Sequence, residues 1–556
     1  MIADSLFVNA SVFVADGSLG PPDTVAVRGG VITYVGRGVP EDFVGPRTEI
    51  IDAAGASLLP GFIDAHVHPV AAGMQALRCD LSRLPHDRAA YLDAIGDYAR
   101  MHPDEPVISG GGWYGDAFAG GFPTRHDIDA AVSARPVVLT SHDGHGVWAN
   151  TKALQVGGMD LGIGSSTSDP AGGKIVRDAE GMPTGMLFER AADPVTDLIP
   201  AVTPEFMHRA LLAAQRHLHS VGVTGWQDAG VGIPLFGLDD ILPTYLDADE
   251  SGELTARVVG ALWWTAERGL DQIDELRTRR ERSGHNRFRA TTVKVMQDGI
   301  CENCTAAMLA PYRTAPGEAE TSGLSFIAPD DLVEITSALA AERFQIHMHA
   351  VGDRAVRECL NALEGAARAH PGFDGRHQIA HLDVVDPHDV SRFAALGVVA
   401  NVQALWARRD TEIVERKLGL LGPEREAWHF PFGSLNRQGV TLAMGSDWPV
   451  TDPNPLWAIH TAVHRTGPRA DPHAIGDGVF DTPLLADERL DLRKAVDAYT
   501  TGSAFANHCD DSTGSIEVGK LADLVLLDGN IVAVDEISYL RTVLTMVGGK
   551  VVYRSD

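Results

Sequence analysis

Between Gly61 and Asn507 the chain passes eight times through an apolar, β-rich stretch followed by a helical one. The strand candidates are, in order, LLPGFIDAHVH, GVTGWQDAG, ARVVGALWW, ATTVKVMQDG, FQIHMHAVGD, HQIAHLDVV, VVANVQA and TLAMGSDWPV. Segments between them, such as PEFMHRALLAAQRHLHSV, PDDLVEITSALAAE and DRAVRECLNALEGAARAH, carry apolar residues three and four apart. The first two of these open on Pro beside an acidic first turn, a helix-start signal. Parallel strands need crossovers, crossover helices cover the outside, and eight such units close into an α/β (β/α)8 TIM barrel. A doubly wound open sheet is the alternative. It would normally carry a Gly-rich phosphate turn after an early strand, and none of these runs supplies one.

The two ends have another texture. LFVNASVFVADG, DTVAVRGGVITYVG and TEIIDAAGASLLPG at the start, with GSIEVGKLADLVLLDG and RTVLTMVGGKVVY at the finish, alternate in short runs broken by Gly and Asp. That pattern predicts a meander of antiparallel strands. Either piece alone would leave open edges over a thin core, so residues 1–60 and 508–556 are expected to join in one small β-sandwich beside a barrel spanning 61–507. A plain barrel takes about 250 residues, yet about 150 separate its first two strand candidates here. Residues 70–221 are therefore expected to form an inserted α+β subdomain covering the barrel mouth. Its stretches GGGWYGDAF, PVVLTSHDGHGVWANTKAL and DPAGGKIVRDAEGMPTGMLFERA mix strand, turn and short-helix signals.

Composition narrows the partners. A formal charge of -29 leaves no general surface for nucleic acid or anionic membrane, which call for clustered Lys and Arg, so a small-molecule substrate is expected. No apolar run approaches the length of a membrane span. Five cysteines are too few and too odd in number for a disulfide framework, and MIADSLFVNASVFVADG lacks a basic region followed by an apolar stretch. A cytoplasmic location is the expectation. Cys301 and Cys304 form a lone Cys-x-x-Cys, weak evidence for structural zinc without a second ligand pair. The sequence does not read out oligomeric state, and a homo-oligomer is compatible with it.

Chemistry enters with DAHVHP. Side chains two apart on a strand share a face, so His66 and His68 at the end of the first strand point into the barrel and can grip one divalent metal. His349 closes the fifth strand, His381 the sixth and Asp447 the eighth. Catalytic residues of such barrels come from the C-terminal ends of different strands, so their convergence outweighs any one of them. Lys294 lies between valines in TTVKVMQDG, where an unpaired ammonium would be costly. Either Asp298 or Asp228 pairs with it, or the neutral amine has taken up carbon dioxide as a carbamate able to bridge two ions. A dry, metal-bearing site favours the carbamate.

These residues resemble the amidohydrolase superfamily, through PGFIDAHVHP, the strand-end His349 and His381, GSDWPV and the tail GSIEVGKLADLVLLD. PVVLTSHDGHGVWANTKAL, DPAGGKIVRDAEGMPTG, VKVMQDG, HMHAVGDRAV and GVVANVQ are similar to its amidohydrolase-3, or YtcJ-like, branch, so the likeness covers essentially the whole chain. The resemblance implies one metal on His66 and His68, a second on His349 and His381, a bridging carboxylated Lys294, and Asp447 as both ligand and proton shuttle. Two departures stand out. Ala380 replaces a Glu that the branch usually has before the sixth-strand histidine, leaving the orientation of His381 to another partner. QDGICENCTAAM replaces a simpler sequence and is faintly similar to members acting on N-substituted formamides.

Such a ligand set predicts hydrolysis of an amide-like C–N bond, with Zn2+ the first candidate and Mn2+, Fe2+ or Co2+ open, in one or two ions. The alternatives are a mononuclear deaminase or isomerase on the same scaffold and an inactive, metal-stabilised relative. Weaker candidates remain. His347 shares the inward face of His349 and is expected as a hydrogen-bonded histidine deeper in the barrel, with metal ligation the less favoured reading. Trp113, Asp143 and His145 in the insertion, and Glu302 and Gln403 after barrel strands, are candidates for substrate contact. Trp263, Trp264, Trp406 and Trp448 fall near strand ends, where aromatics line pockets or simply pack.

Overall fold

The computed structural model describes residues 2–14, 22–118, 122–142, 146–162, 167–170, 173–232, 238, 240–284, 286–313 and 320–555. Two compact units emerge: Met1–Pro69 with Gln215–Asp556, and Val70–Ala214. The first contains an eight-stranded parallel sheet made of β1 (Phe62–Val67), β2 (Val223–Val231), β3 (Arg257–Trp263), β4 (Phe288–Met296), β5 (Gln345–Ala350), β6 (Gln378–His381), β7 (Val399–Val402) and β8 (Leu442–Met444). Neighbours in sequence are neighbours in space throughout. Helices such as Pro204–Ser220, Pro329–Ala341 and Asp353–Ala369 return the chain between strands. The first two carry the Pro and acidic first turn that the sequence announced.

The sheet closes at the strand ends rather than along a full ladder. Asp447 N donates to His66 O at 2.7 Å and His68 N to Trp448 O at 2.9 Å, tying the segment after β8 to the end of β1. Asp64 reinforces the seam by accepting from the backbone N–H groups of His66 and Ser446, each at 3.1 Å. Gly445 permits this approach, because a Cβ there would lie 2.5 Å from His66 N. Among the described residues no helix is long and apolar enough to cross a membrane.

The first strand candidate is in fact two strands. In LLPGFIDAHVH, Ser57–Pro60 belongs to a different sheet from β1, with Gly61 between them. That sheet has five strands, Ser11–Val12, Ser57–Pro60, Leu524–Leu527, Thr542–Val547 and Lys550–Arg554, so strands from both chain ends share one ladder. A four-stranded sheet of Val31–Gly36, Thr24–Arg28, Ser5–Val8 and Glu49–Asp52 accompanies it. The antiparallel meander expected at the start needs correction. Ser5–Val8 pairs parallel with Glu49–Asp52, and Ser11–Val12 parallel with Ser57–Pro60. Alternation of polar and apolar residues fixes which face is buried, whereas strand direction depends on long connections that alternation does not encode.

The second unit, Val70–Ala214, holds a six-stranded mixed sheet ordered Gly173–Arg177, Pro183–Glu189, Gly146–Ala149, Val137–Ser141, Ile108–Trp113 and Cys79–Asp80. Helix Arg88–Met101 starts on an N-cap, the Asp87 carboxylate accepting from Ala90 N, and buries Tyr91 and Ile95 against this sheet's core.

Candidate metal centre

The C-terminal ends of β1, β4, β5, β6 and β8 bring the six predicted ligands together. Asp447 Oδ1 lies 3.4 Å from His66 Nε2 and 3.2 Å from His68 Nε2. The rings of His66 and His381 are 4.8 Å apart between centroids, those of His381 and His349 4.3 Å. Lys294 Nζ is 3.5 Å from His66 Nε2. Of the set, His66, His381 and Asp447 each offer a ligand atom, all within 4.8 Å of one another. His381 and Asp447 hold their backbones at φ 80° and 57°, a region that L residues rarely adopt and that concentrates at functional sites.

Burial governs the electrostatics. It holds the imidazoles of His66, His347 and His381 well below the ordinary histidine range and that of His349 at about 3, with neighbouring positive groups pushing the same way. All four rings are therefore neutral near pH 7 and carry a lone pair, as metal ligation requires. Burial also lowers Lys294 to about 7, with Asp447 opposing. The ion pair of Lys294 with Asp298 or Asp228, the alternative to a carbamate, is not what the structure has. Asp298 accepts from the backbone N–H groups of Ala307, Val351 and Gly352 at 2.9, 3.0 and 2.8 Å, and Asp228 from Tyr245 Oη at 2.7 Å and Gly230 N at 3.0 Å. Both carboxyls are engaged locally, and burial raises both, Asp298 to about 8. The donor set fits a divalent cation: neutral imidazoles and one carboxylate converge, and the adjacent lysine sheds its charge easily.

The weaker candidates separate. Trp113 is buried in the core of the inserted unit, its indole N–H donating to Leu139 O at 3.0 Å, its ring 6.0 Å from Trp148. That side chain packs rather than lining an opening. Asp143 and His145 lie outside the described residues. Glu302 sits 3.0 Å from Lys417 Nζ, which also meets Asp383 Oδ2 at 2.5 Å, so its carboxylate serves a buried ion cluster. Gln403 is buried beside His381 and partly offsets that ring's burial. His347 lies deeper in the barrel and bridges Gln227 to His66 Nδ1, the latter at 3.0 Å. Trp406 stacks parallel to His381 at 5.4 Å. Cys301 is packed with Ala306, Met308 and Tyr312 in an apolar cluster, and no metal-ligating group among the described residues includes it.

Sequence reading missed Asp64, Gln227, Gln378 and Asn401, all buried. The signal was present. Each is a polar residue inside an otherwise apolar strand candidate, and a buried polar group must find partners. Asp64 also shares the period-two face of His66, and burial lifts its carboxyl to about 7.

The amidohydrolase family profile matches residues 49–553. Over its whole length the chain is 32% identical to Protein LONG AFTER FAR-RED 3 of Arabidopsis thaliana, covering 92% of that protein. It is 29% identical to the putative amidohydrolase YtcJ of Bacillus subtilis, covering 96% of each chain. It is 27% identical to the N-substituted formamide deformylase of Arthrobacter pascens, over 99% of this chain and 98% of that one. An uncharacterized metal-dependent hydrolase from Pyrococcus horikoshii has a similar fold, with a TM-score of 0.70 at 23% identity over 96% of this chain and 99% of that one. Matched by the profile from residue 49 to residue 553, the chain belongs to the amidohydrolase family.

Proposed function

We propose that this protein is a metal-dependent hydrolase that cleaves an amide-like C–N bond of a small molecule, with N-substituted formamides as the first substrate class to test. The observation that carries the reading is the convergence of His66, His381 and Asp447 within 4.8 Å at the end of a closed barrel. His68, His349 and Lys294 complete the donor set around them. A divalent ion bound there, Zn2+ first among candidates, would polarise a carbonyl and lower the pKa of water from about 15.7 toward about 7.

The chain's own residues supply the rest. The carboxylate of Asp447, 3.4 and 3.2 Å from two ring nitrogens, is placed to take a proton from the attacking water and return it to the departing amine. An amine leaves poorly without that proton, so amide-like bonds suit this residue. Lys294, lowered to about 7, is available as the free amine; adding carbon dioxide and releasing one proton would turn it into an anionic carbamate with two oxygens. The faint local likeness of QDGICENCTAAM and the full-length similarity to a formamide deformylase support the formamide class.

A one-ion reading, as in a deaminase or isomerase, is favoured by one specific fact: only His66, His381 and Asp447 form a close ligand group among the described residues. Metal analysis of the purified protein beside Lys294→Ala separates the two. Two equivalents falling to one or none support the bridged centre. One equivalent that is unchanged in the variant removes it and leaves the single-ion alternative. Turnover of a panel of N-substituted formamides, simple amides and aminated heterocycles then assigns the bond.

A further inference from the structure

Beneath the metal centre the barrel interior is crossed by carboxamides whose orientation can be read outward from fixed points. Gln345 Nε2 lies 2.8 Å from Arg376 O and 2.6 Å from Ala506 O. Backbone carbonyls only accept, so this end of Gln345 is the NH2 group and Oε1 is the other. Gln345 Oε1 then receives Gln227 Nε2 at 3.1 Å, which fixes Gln227 in turn and turns its Oε1 toward His347 Nδ1. A neutral His347 that donates from Nδ1 has a bare Nε2. That nitrogen is 3.0 Å from His66 Nδ1, which must therefore carry the proton, leaving His66 Nε2 open to the centre.

A second branch starts at Ala65 O, which accepts from Asn401 Nδ2 at 2.8 Å. Asn401 Oδ1 accepts from Gln403 Nε2 at 3.1 Å, so Gln403 presents Oε1 at its far end. Gln403 Oε1 and His381 Nδ1 are both buried without a hydrogen-bond partner, and the two side chains are neighbours. An acceptor there calls for a proton on His381 Nδ1 and frees His381 Nε2.

We infer that this carboxamide belt dictates which ring nitrogen His66 and His381 offer to metal, with Gln227, His347 and Gln403 as positioning residues. The inference rests on the metal-hydrolase reading above. It also accounts for Ala380: the partner that orients His381 comes from the end of β7 instead of from the preceding residue.

The test begins on metal-free protein carrying 15N-histidine, with the two rings assigned through His66→Gln and His381→Gln. Nδ1-protonated, Nε2-bare tautomers of both rings are expected, and an Nε2-protonated form of either overturns the inference. This arm is independent of metal uptake. Failure of the function reading would show up differently, as wild-type protein that takes up no Zn2+. In the second arm, Gln403→Met should release the His381 tautomer while His66 keeps its own, and lower Zn2+ affinity about 10- to 100-fold. Gln403→Glu, which keeps an acceptor oxygen, should restore both readouts. His347→Leu should release His66 alone. Tautomers unchanged in folded Gln403→Met and His347→Leu would overturn the relay. If those variants do not fold, the wild-type tautomers decide alone.

Discussion

The sandwich and the barrel belong to one unit and are built on opposite principles. The sandwich interior is apolar: Phe7, Val25, Leu58, Leu524, Leu544 and Met546 fill it, drawn from both ends of the chain. The barrel interior beneath and beside the candidate metal centre is polar, with Gln227, Gln345, His347, Gln378, Asn401 and Gln403 buried there. Transfer of apolar surface is non-directional, so a core like the sandwich gains stability without fixing any atom's orientation. Hydrogen-bonded carboxamides add modest net stability but are costly when half-satisfied, so they hold one geometry and resist change. One region keeps the chain folded; the other keeps donors aimed.

That contrast can be broken experimentally. The largest effect is expected at the polar end: Asp447→Asn should lower hydrolysis about 10²- to 10⁴-fold while leaving the denaturation midpoint in place. Full retained turnover would remove the proton shuttle. Phe7→Ala in the sandwich should do the reverse, costing about 3 to 5 kcal/mol in chemical denaturation with turnover per folded molecule unchanged.

An intermediate effect is expected where the two regions meet. His219 Nδ1 is 2.8 Å from Val223 O, its Nε2 is 2.8 Å from Thr255 Oγ1, and its own carbonyl accepts from Thr545 of the sandwich at 2.6 Å. Burial lowers this imidazole to about 4. Between about 4 and 6.5 the unfolded chain therefore binds more protons than the folded one. The stability linked to His219 is full above 6.5 and is lost as pH falls toward 4, a total on the order of 3 kcal/mol. Denaturation midpoints at pH 7 and pH 5 should fall less steeply in His219→Gln than in the wild type. Equal slopes would assign the acid sensitivity elsewhere. The smallest effect is expected from Arg554→Ala, which removes an exposed pair with Glu49 at 2.6 Å across the two ends. It should cost less than about 1 kcal/mol, because the ends are held by burial rather than by charge.

The eight-strand alternation, the gathering of six candidate donors at the strand ends and the pairing of chain ends were legible because each leaves a periodic mark or a chemically unusual residue in an apolar run. Strand direction in the sandwich left no such mark, nor did the break at Gly61 that sends Ser57–Pro60 to one sheet and Phe62–Val67 to another. The ion pair weighed for Lys294 against a carbamate, with Asp298 or Asp228, is one the structure does not form. Backbone N–H groups and Tyr245 had already claimed both carboxyls. Glu302 offered a carboxylate to substrate on paper. In three dimensions it answers the buried Lys417, contributed by a segment more than a hundred positions onward.

By itself the sequence determined the architecture and the inventory of donors, because side-chain periodicity of two and 3.6 and the chemistry of His, Lys and Asp are local properties of the chain. Only the tertiary structure decided which nitrogen of each ring faces the centre, which carboxylates were already occupied and how Asp447 is tied to His66. Those follow from hydrogen bonds between residues distant in sequence, whose direction is fixed by backbone carbonyls such as Ala506 O and Ala65 O that no side-chain pattern reveals.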